Sequence, residues 1–243
     1  MSDTPSSSKL KDAVSRRMKA RKVLAILSEY RSQWSHVGCL ELGCASGLMS
    51  EEFAKQFGRV VGLDVNAEAI AATRSRPVPA NVSYLLGDAT RLPFDDESFD
   101  LVVCAQVYEH VGDSLSLMRE IYRVLRNRGV CFFSGPNRLW PIEDHYGLPF
   151  LHWLPRAAAG WLLRLTGRGR FYAESPQTSR VLRRQMVGFD ILDFSARLLS
   201  EPDRYLGSGL GPIKRLPGAV AEVLAPFVPN FNWVLEKHVG TKT

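Results

Sequence analysis

The stretch that decides the fold is ELGCASG, Glu41 to Gly47. It follows the apolar run HVGCL and puts an acidic residue just ahead of two glycines that are separated by small residues. A glycine turn after a strand commonly binds a phosphate through its backbone N–H groups. Because the carboxylate of Glu41 would repel a phosphate, the turn predicts a ligand of another kind, such as a cation.

Strand-like and helix-like segments alternate around this turn. The strand-like segments are mostly continuous apolar runs, which is typical of a parallel sheet covered by helices on both faces. We therefore predict a doubly wound α/β fold with a mostly parallel, seven-stranded sheet, whose ligands bind at the carboxyl ends of the strands. The predicted strands lie in VGCLELG, RVVGLDV, VSYLLGDA, FDLVVCAQVYEHV, VCFFSGPN, FDILDFSARLL and FNWVLEKHV.

The chain divides into four predicted parts. Residues 1–8 are rich in Ser, Thr and Pro and are expected to be a disordered tail. Residues 9–137 hold an N-terminal helix and the first five strands. Residues 138–184 show no strand pattern and carry three tryptophans and eight arginines against three acidic residues, so they read as an α-rich insertion that covers the acceptor. Residues 185–243 return to the sheet, with a second insertion.

The composition of the chain restricts its function less than the glycine turn does. With 243 residues the chain can bury a full core, and its net charge of +6 suits acidic substrates, nucleic acid or anionic lipid. The four cysteines lack zinc-ligand spacing and are read as reduced. The N-terminus has no apolar segment typical of a secretory signal, and no apolar run is long enough to span a bilayer. These features predict a cytoplasmic protein.

Two further acidic residues end the next predicted strands. Asp64 follows Gly43 at the spacing at which an acid binds ribose hydroxyls, although the turn lacks the glycine spacing of a dinucleotide site. Asp88 ends the third strand, where it could accept a hydrogen bond from an exocyclic amine. Together with Glu41, these acids suit a cationic nucleoside without phosphate. S-adenosylmethionine (SAM) has these parts and is the predicted cofactor.

These motifs resemble those of the class I SAM-dependent methyltransferases. ELGCASG is similar to the first family motif, the acid of VVGLDV to the second, and GDATRLPFDDESFDLVVC to the third and fourth. The segments VYEHV and MREIYRVLRNRG look like the branch that methylates small molecules, quinones and lipids. The resemblance covers Val37 to Asn137. One departure is Ala45, where many members have glycine, and it predicts slightly tighter ligand packing.

The resemblance implies roles for individual residues. Glu41 would face the methionine end of the cofactor, Asp64 the ribose and Asp88 the adenine, while Gln106 would line the methionine and acceptor side. The predicted cofactor-binding set is Glu41, Gly43, Cys44, Ala45, Gly47, Asp64, Val65, Asp88, Ala89 and Gln106.

His110 is the candidate catalytic base, because it follows the fourth strand beside the expected methyl group. The alternative is a histidine at a helix start that hydrogen-bonds the backbone. No metal is predicted, since the single pair Glu109 and His110 makes no metal site. The candidate acceptor-binding residues are Tyr108, His145, Tyr146 and His152, of which both histidines could instead be structural.

The predicted function is methyl transfer to a small-molecule, lipid-type or glycan-type acceptor, at oxygen. The basic, aromatic residues 138–184 make an anionic membrane surface a candidate partner. A nicotinamide oxidoreductase is disfavoured, because the longer glycine motif is absent. DNA methylation is disfavoured because CAQVYEH stands where amino-methylating enzymes carry an Asp/Asn-Pro-Pro-aromatic stretch. RNA or protein methylation, or SAM binding without catalysis, remain as alternatives.

Overall fold

The computed structural model describes residues 5–143, 145–206 and 215–238. Seven strands form one sheet in the order β3-β2-β1-β4-β5-β7-β6. Strands β1 to β5 run parallel, whereas β7 is antiparallel to both β5 and β6. This confirms the predicted seven-stranded, mostly parallel sheet. The strands are β1 Gly38–Leu42, β2 Arg59–Asp64, β3 Val82–Leu86, β4 Phe99–Ala105, β5 Leu125–Pro136, β6 Phe189–Asp193 and β7 Asn230–Lys237.

Helices cover both faces of the sheet. The described helices are α1 Pro5–Tyr30, α2 Leu48–Phe53, α3 Ala67–Arg74, α4 Ser114–Val124, α5 Arg156–Leu165, α6 Ser179–Gln185, α7 Ser195–Ser200, α8 Pro202–Leu206 and α9 Gly218–Leu224. Short 3-10 turns occupy Leu151–Trp153 and Ala225–Phe227. Among the described residues, no helix is long and apolar enough to cross a bilayer.

Two hydrophobic cores lie on opposite faces of the sheet, because successive strand residues point in opposite directions. Leu40 and Leu42 of β1 belong to the core that contains the buried face of α4. Cys39 of the same strand belongs to the other core, with Ile26 and Leu27 of α1. Helix α1 is therefore anchored to the sheet by the half of the helix that leads into β1.

Some boundaries differ from the sequence prediction. Helix α1 begins at Pro5, so residues 5–8 of the expected disordered tail are helical. Helix α4 ends at Val124 rather than at Gly129, because β5 already pairs with β4 from Leu125 onwards.

The segment SARLL is helical rather than part of β6. The side chain of Asp193 accepts a hydrogen bond from the backbone N–H of Ser195 (2.9 Å), and this local turn ends the strand and opens α7. The second predicted insertion, residues 200–218, is partly helical, in α8, and residues 207–214 lie outside the described part of the chain.

The described residues of the 138–184 segment contain no strand, as predicted, and build a small core of their own. Leu151, Ala159, Leu163 and Tyr172 are its buried members. This cluster is separate from the two cores of the sheet, so residues 151–172 pack as an addition to the fold, whereas Leu182 of α6 belongs to the core that contains α4.

Candidate functional site

A cavity of about 780 Å³ lies at the carboxyl ends of the first four strands. Its walls come from the residues that follow β1 to β4 and from one side of α1. Eight of the ten predicted cofactor-binding residues line this cavity: Glu41, Gly43, Ala45, Asp64, Val65, Asp88, Ala89 and Gln106. The topology therefore brings together residues that are far apart in sequence.

The glycine turn adopts a backbone that few side chains allow. Gly43, Ala45 and Gly47 all have positive φ angles, of 69°, 45° and 73°. A Cβ at Gly47 would approach the hydroxyl oxygen of Tyr84 to 2.3 Å, so glycine is required there by space as well as by conformation. Ala45 has a Cβ in this region, which costs about 1 kcal/mol or more.

Cys44 and Gly47 do not line the cavity. Cys44 is buried, and Gly47 is covered by the ring of Tyr84. Both shape the turn from behind, since the N–H of Gly47 donates to the carbonyl oxygen of Cys44 (2.8 Å). Direct cofactor contact at these two positions stays a prediction that the cavity does not favour.

Asp64 holds the turn in place. One carboxylate oxygen accepts a hydrogen bond from the N–H of Ala45 (2.7 Å), and the other accepts one from the N–H of Asn66 (2.8 Å). The side chain is half-buried and lines the cavity. Each carboxylate oxygen retains a second lone pair, so the group can accept ribose hydroxyls without releasing the turn.

Glu41 lies at the floor of the cavity and is only 3% exposed. The hydroxyl of Ser50 donates a hydrogen bond to its carboxylate. Burial raises the pKa of Glu41 to about 8, because the charged form loses its hydration. A cation placed beside it would favour the ionised form, as the methionine end of SAM would require.

Asp88 is exposed at the rim. One of its oxygens accepts from both the N–H and the hydroxyl of Thr90, each at 2.8 Å. These two hydrogen bonds fix the orientation of the carboxylate and involve only one of its oxygens, so the second oxygen can accept a hydrogen bond from a ligand. Val65, which is exposed, and Ala89, which is buried, add apolar surface to the same wall.

Two histidines meet on the acceptor side of the cavity. His110 follows β4, and His145 comes from the 138–184 segment. Their rings pack edge to face, with centroids 5.1 Å apart. Burial, and then the neighbouring His145, lower the pKa of His110. The hydrogen-bond contact between His145 and Glu143 (3.1 Å) raises the pKa of His145. His110 is thus the histidine of the pair that stays neutral to the lower pH, and so is free to accept a proton near pH 7.

The same two histidines and Glu109 could hold a metal ion. Their potential ligand atoms lie within 4.8 Å of one another, and the Nε2 atom of His110 is 3.8 Å from a carboxylate oxygen of Glu109. The sequence shows only the Glu109–His110 pair, since the approach of His145 depends on the fold. The expectation of no metal therefore rested on an incomplete set of ligands.

The three other predicted acceptor residues do not line this cavity. Tyr108 is buried, where its hydroxyl donates to the carbonyl oxygen of Pro136 and accepts from the N–H of Gln177 (3.1 Å). His152 is also buried, with Nε2 at 3.0 Å from the carbonyl oxygen of Arg138. The ring of Tyr146 packs against Tyr172. An acceptor-binding role for these three residues stays a prediction, which the lining of this cavity does not favour.

Sequence reasoning missed the contribution of α1. Four of its polar residues line the cavity: Asp12, Ser15, Arg16 and Lys19. Alternating charges on a helix usually mark a solvated face. No local signal shows that this face turns towards the strand ends.

A second cavity of about 270 Å³ adjoins the first. The two share Lys19, Ala105, Gln106 and His145 in their linings. The second cavity is lined further by Lys22, Val23, Phe132, Ser134 and Asn230. Its position beside the two histidines makes it a candidate acceptor pocket.

The comparison with protein families agrees with this geometry. Residues 40–133, from β1 to β5, match the family model described as a methyltransferase domain. The matched stretch is less than half of the chain, and it includes the glycine turn and all three strand-end acids of the cavity.

Curated relatives match about two fifths of the chain. A protein of Mycolicibacterium smegmatis, named as a probable S-adenosylmethionine-dependent methyltransferase, is 38% identical over 100 residues, which are 41% of this chain and 38% of the relative. A ubiquinone biosynthesis O-methyltransferase of Aliivibrio fischeri is 33% identical over 102 residues, which are 41% of this chain and 44% of the relative. The chain therefore spans less than half the length of either relative.

The fold of the chain also matches solved structures. An S-adenosylmethionine dependent methyltransferase from Mesorhizobium loti superposes with a TM-score of 0.58 at 17% identity, covering 84% of this chain and 93% of that one. At this identity the match concerns the fold alone. It covers a larger share of the chain than the 40–133 stretch does.

Proposed function

We propose that the chain is a SAM-dependent methyltransferase that acts on a small-molecule acceptor. The observation that carries this proposal is the convergence of Glu41, Asp64 and Asp88 on one cavity, beside a glycine turn with positive φ angles. These acids suit the ammonium, ribose and adenine of SAM, and none suits a phosphate. The names of the relatives support the same activity.

The cofactor supplies a methyl group already activated by a positive sulfur, so the protein must mainly align the acceptor and exclude water. In this proposal Asp64 accepts from the ribose hydroxyls and Glu41 faces the methionine ammonium. Asp88 accepts from the adenine amine. Gln106, in the lining of both cavities, lies at the border between donor and acceptor.

We propose further that the methyl group goes to an oxygen, with His110 as the base. The lowered pKa of His110 keeps its ring neutral near pH 7, so it can accept the proton of an acceptor hydroxyl as the new bond forms. His145, held by Glu143, would orient the acceptor beside it. The ubiquinone O-methyltransferase relative, named for oxygen methylation, supports this choice.

The 138–184 segment is proposed as the cover of the acceptor pocket, because it brings His145 to both cavities. Its outer face exposes large apolar side chains, among them Trp161 at 59% and Phe171 at 72%. Exposed aromatic residues next to arginines are typical of proteins that lie on anionic membranes. A membrane surface that presents a lipid-like acceptor is the partner we propose for this face.

The decisive experiment has two steps. Calorimetric titration with S-adenosylhomocysteine (SAH), the demethylated product, tests cofactor binding. Incubation with radiolabelled SAM and fractionated cell extract then shows which fraction receives the methyl group. We expect label in a small-molecule or lipid fraction. Label in RNA or protein would refute the proposed acceptor class, and SAH binding without any turnover would indicate a sensor.

A further inference from the structure

The two cavities differ in the charge of their linings. The larger one has five acidic residues against the two basic residues Arg16 and Lys19; the acids are Asp12, Glu41, Asp64, Asp88 and Asp113. The smaller one is lined by Lys19, Lys22 and His145 and by no acidic residue. The larger cavity would therefore favour a cationic cofactor, and the smaller one an anionic group. Gln106 and Ala105 lie at the border between the two cavities.

Lys22 is the central basic group of the smaller cavity. It is partly buried, and no described residue makes an ion pair or a hydrogen bond with its ammonium group. Another lysine of low exposure, Lys237, donates to the carbonyl oxygen of Leu125 (2.6 Å) and lies 3.7 Å from a carboxylate oxygen of Glu97. Lys22 has no such partner within the described chain.

A shielded ammonium group without a partner is unfavourable. Burial, and then the nearby Lys19, lower the pKa of Lys22 to about 8. An anion in the cavity would remove this penalty, because it would replace the water that Lys22 has lost. The cost of placing Lys22 here is therefore explained if the cavity is occupied by an anionic ligand.

Neutral groups of the same wall are held in fixed orientations. The side-chain amide of Gln106 donates to the side-chain oxygen of Asn230 (2.8 Å), and the hydroxyl of Ser134 lies 3.4 Å from the side-chain oxygen of Asn232. Phe132 and Val23 add apolar surface. The small volume and mixed wall fit a flat, single-ring ligand that carries one anionic substituent.

We propose that the smaller cavity binds the acceptor through an anionic substituent, with Lys22 as its counter-ion. This inference rests on the proposed function, since it assigns the acceptor to the cavity next to the cofactor. A ligand held at Lys22 reaches the shared border at Gln106 and His145, where its nucleophilic oxygen would meet the methyl group. The part of the acceptor that enters this cavity is thus a single aromatic ring that carries a carboxylate or a phosphate.

Calorimetric titration of the SAH-loaded protein with benzoate, phenyl phosphate and benzamide tests the charge requirement. We expect at least one anion to bind about tenfold or more tightly than benzamide, and the better anion identifies the substituent. Lys22→Met, which keeps the length of the side chain, should remove this preference and leave SAH affinity unchanged. Lys55→Met, at an exposed lysine paired with Glu52, is the matched control and should retain it.

The outcomes separate this inference from the proposed function. Failure of the parent protein to bind SAH would refute the cofactor assignment itself. Normal SAH binding with equal affinity for benzoate, phenyl phosphate and benzamide, or with no binding of any at millimolar concentration, would refute the anion site alone. An anion preference that survives in Lys22→Met would refute the role of Lys22. Thermal unfolding of Lys22→Met should occur at or above the parent temperature, since the variant removes an unpaired charge.

Discussion

Asp64 holds the glycine turn and also faces the cavity, so replacing it should weaken cofactor binding in two ways. Asp64→Ala should weaken SAH binding about tenfold or more, because it removes charge-assisted hydrogen bonds to the ribose and releases the N–H of Ala45. Calorimetry measures the affinity. Asp95→Ala, at an exposed acid outside the cavity, should bind as the parent does. Unchanged affinity in Asp64→Ala would refute the ribose assignment.

His110→Ala should lower turnover about a hundredfold and leave SAH affinity intact, because the general base is lost and the cofactor cavity is not. Assays with and without a chelator separate the base from a metal ligand. Turnover that a chelator abolishes would assign His110 to a metal site with Glu109 and His145. Turnover of the variant close to that of the parent would refute the base outright.

Glu41 predicts a pH dependence of stability. Its pKa rises from 4.5 to about 8 on folding, so the native state binds the proton more strongly than the unfolded state. This contribution to stability is fully present below pH 4.5 and is lost as the pH rises through 8. Glu41→Gln lacks it. Thermal unfolding across this range should show the variant gaining stability relative to the parent as the pH increases; a constant difference would contradict the assignment.

The strand-end acids were predictable because each follows an apolar strand, and parallel strands bring their carboxyl ends to one edge of the sheet. His110 was predictable for the same reason. The place of Lys22 in the smaller cavity and the approach of His145 to His110 were not, because each residue lies on an element whose orientation depends on tertiary packing. Tyr108 shows the reverse error: its sequence position is next to the site, yet its side chain packs into the core.

At the scale of elements, the 138–184 segment can be tested by excision. The rings of Tyr146 and Tyr172 lie 6.1 Å apart, so residues 147–171 can be replaced by a short glycine–serine linker that keeps His145. The sheet should remain folded, since the removed residues pack in their own cluster.

The shortened protein should bind SAH with parent affinity and lose acceptor methylation. The radiolabel assay measures this loss, and thermal unfolding verifies the fold. Parent-level methylation by the shortened protein would show that the segment does not cover the acceptor.

Element types were predicted better than element ends. Asn66 was expected to cap α3, and its side chain does accept from the N–H of Ala69 (3.1 Å). The end of α4 was misplaced, because pairing between β4 and β5 overrides the helical pattern up to Gly129. Long-range pairing of this kind has no local signature.

At the scale of the whole molecule, a net charge of +6 acts together with the exposed aromatic side chains. We expect binding to anionic vesicles at low salt and release at high salt, because added ions screen the charges. The double variant Trp161→Ser and Phe171→Ser should bind weakly even at low salt. Co-sedimentation measures both effects. Failure of the parent protein to bind anionic vesicles at low salt would refute the membrane partner.

Helix α1 forms one wall of the larger cavity, with Arg16 bonded to Asp12 there and Ile26 and Leu27 anchored in the core. We expect this wall to close over a bound nucleoside, so that the first half of the helix must open before the nucleoside leaves. Product departure is then governed by helix opening and not by the affinity of individual contacts. Such a protein would retain its spent cofactor between turnovers, and amide hydrogen exchange in residues 12–19 would report how long each molecule stays.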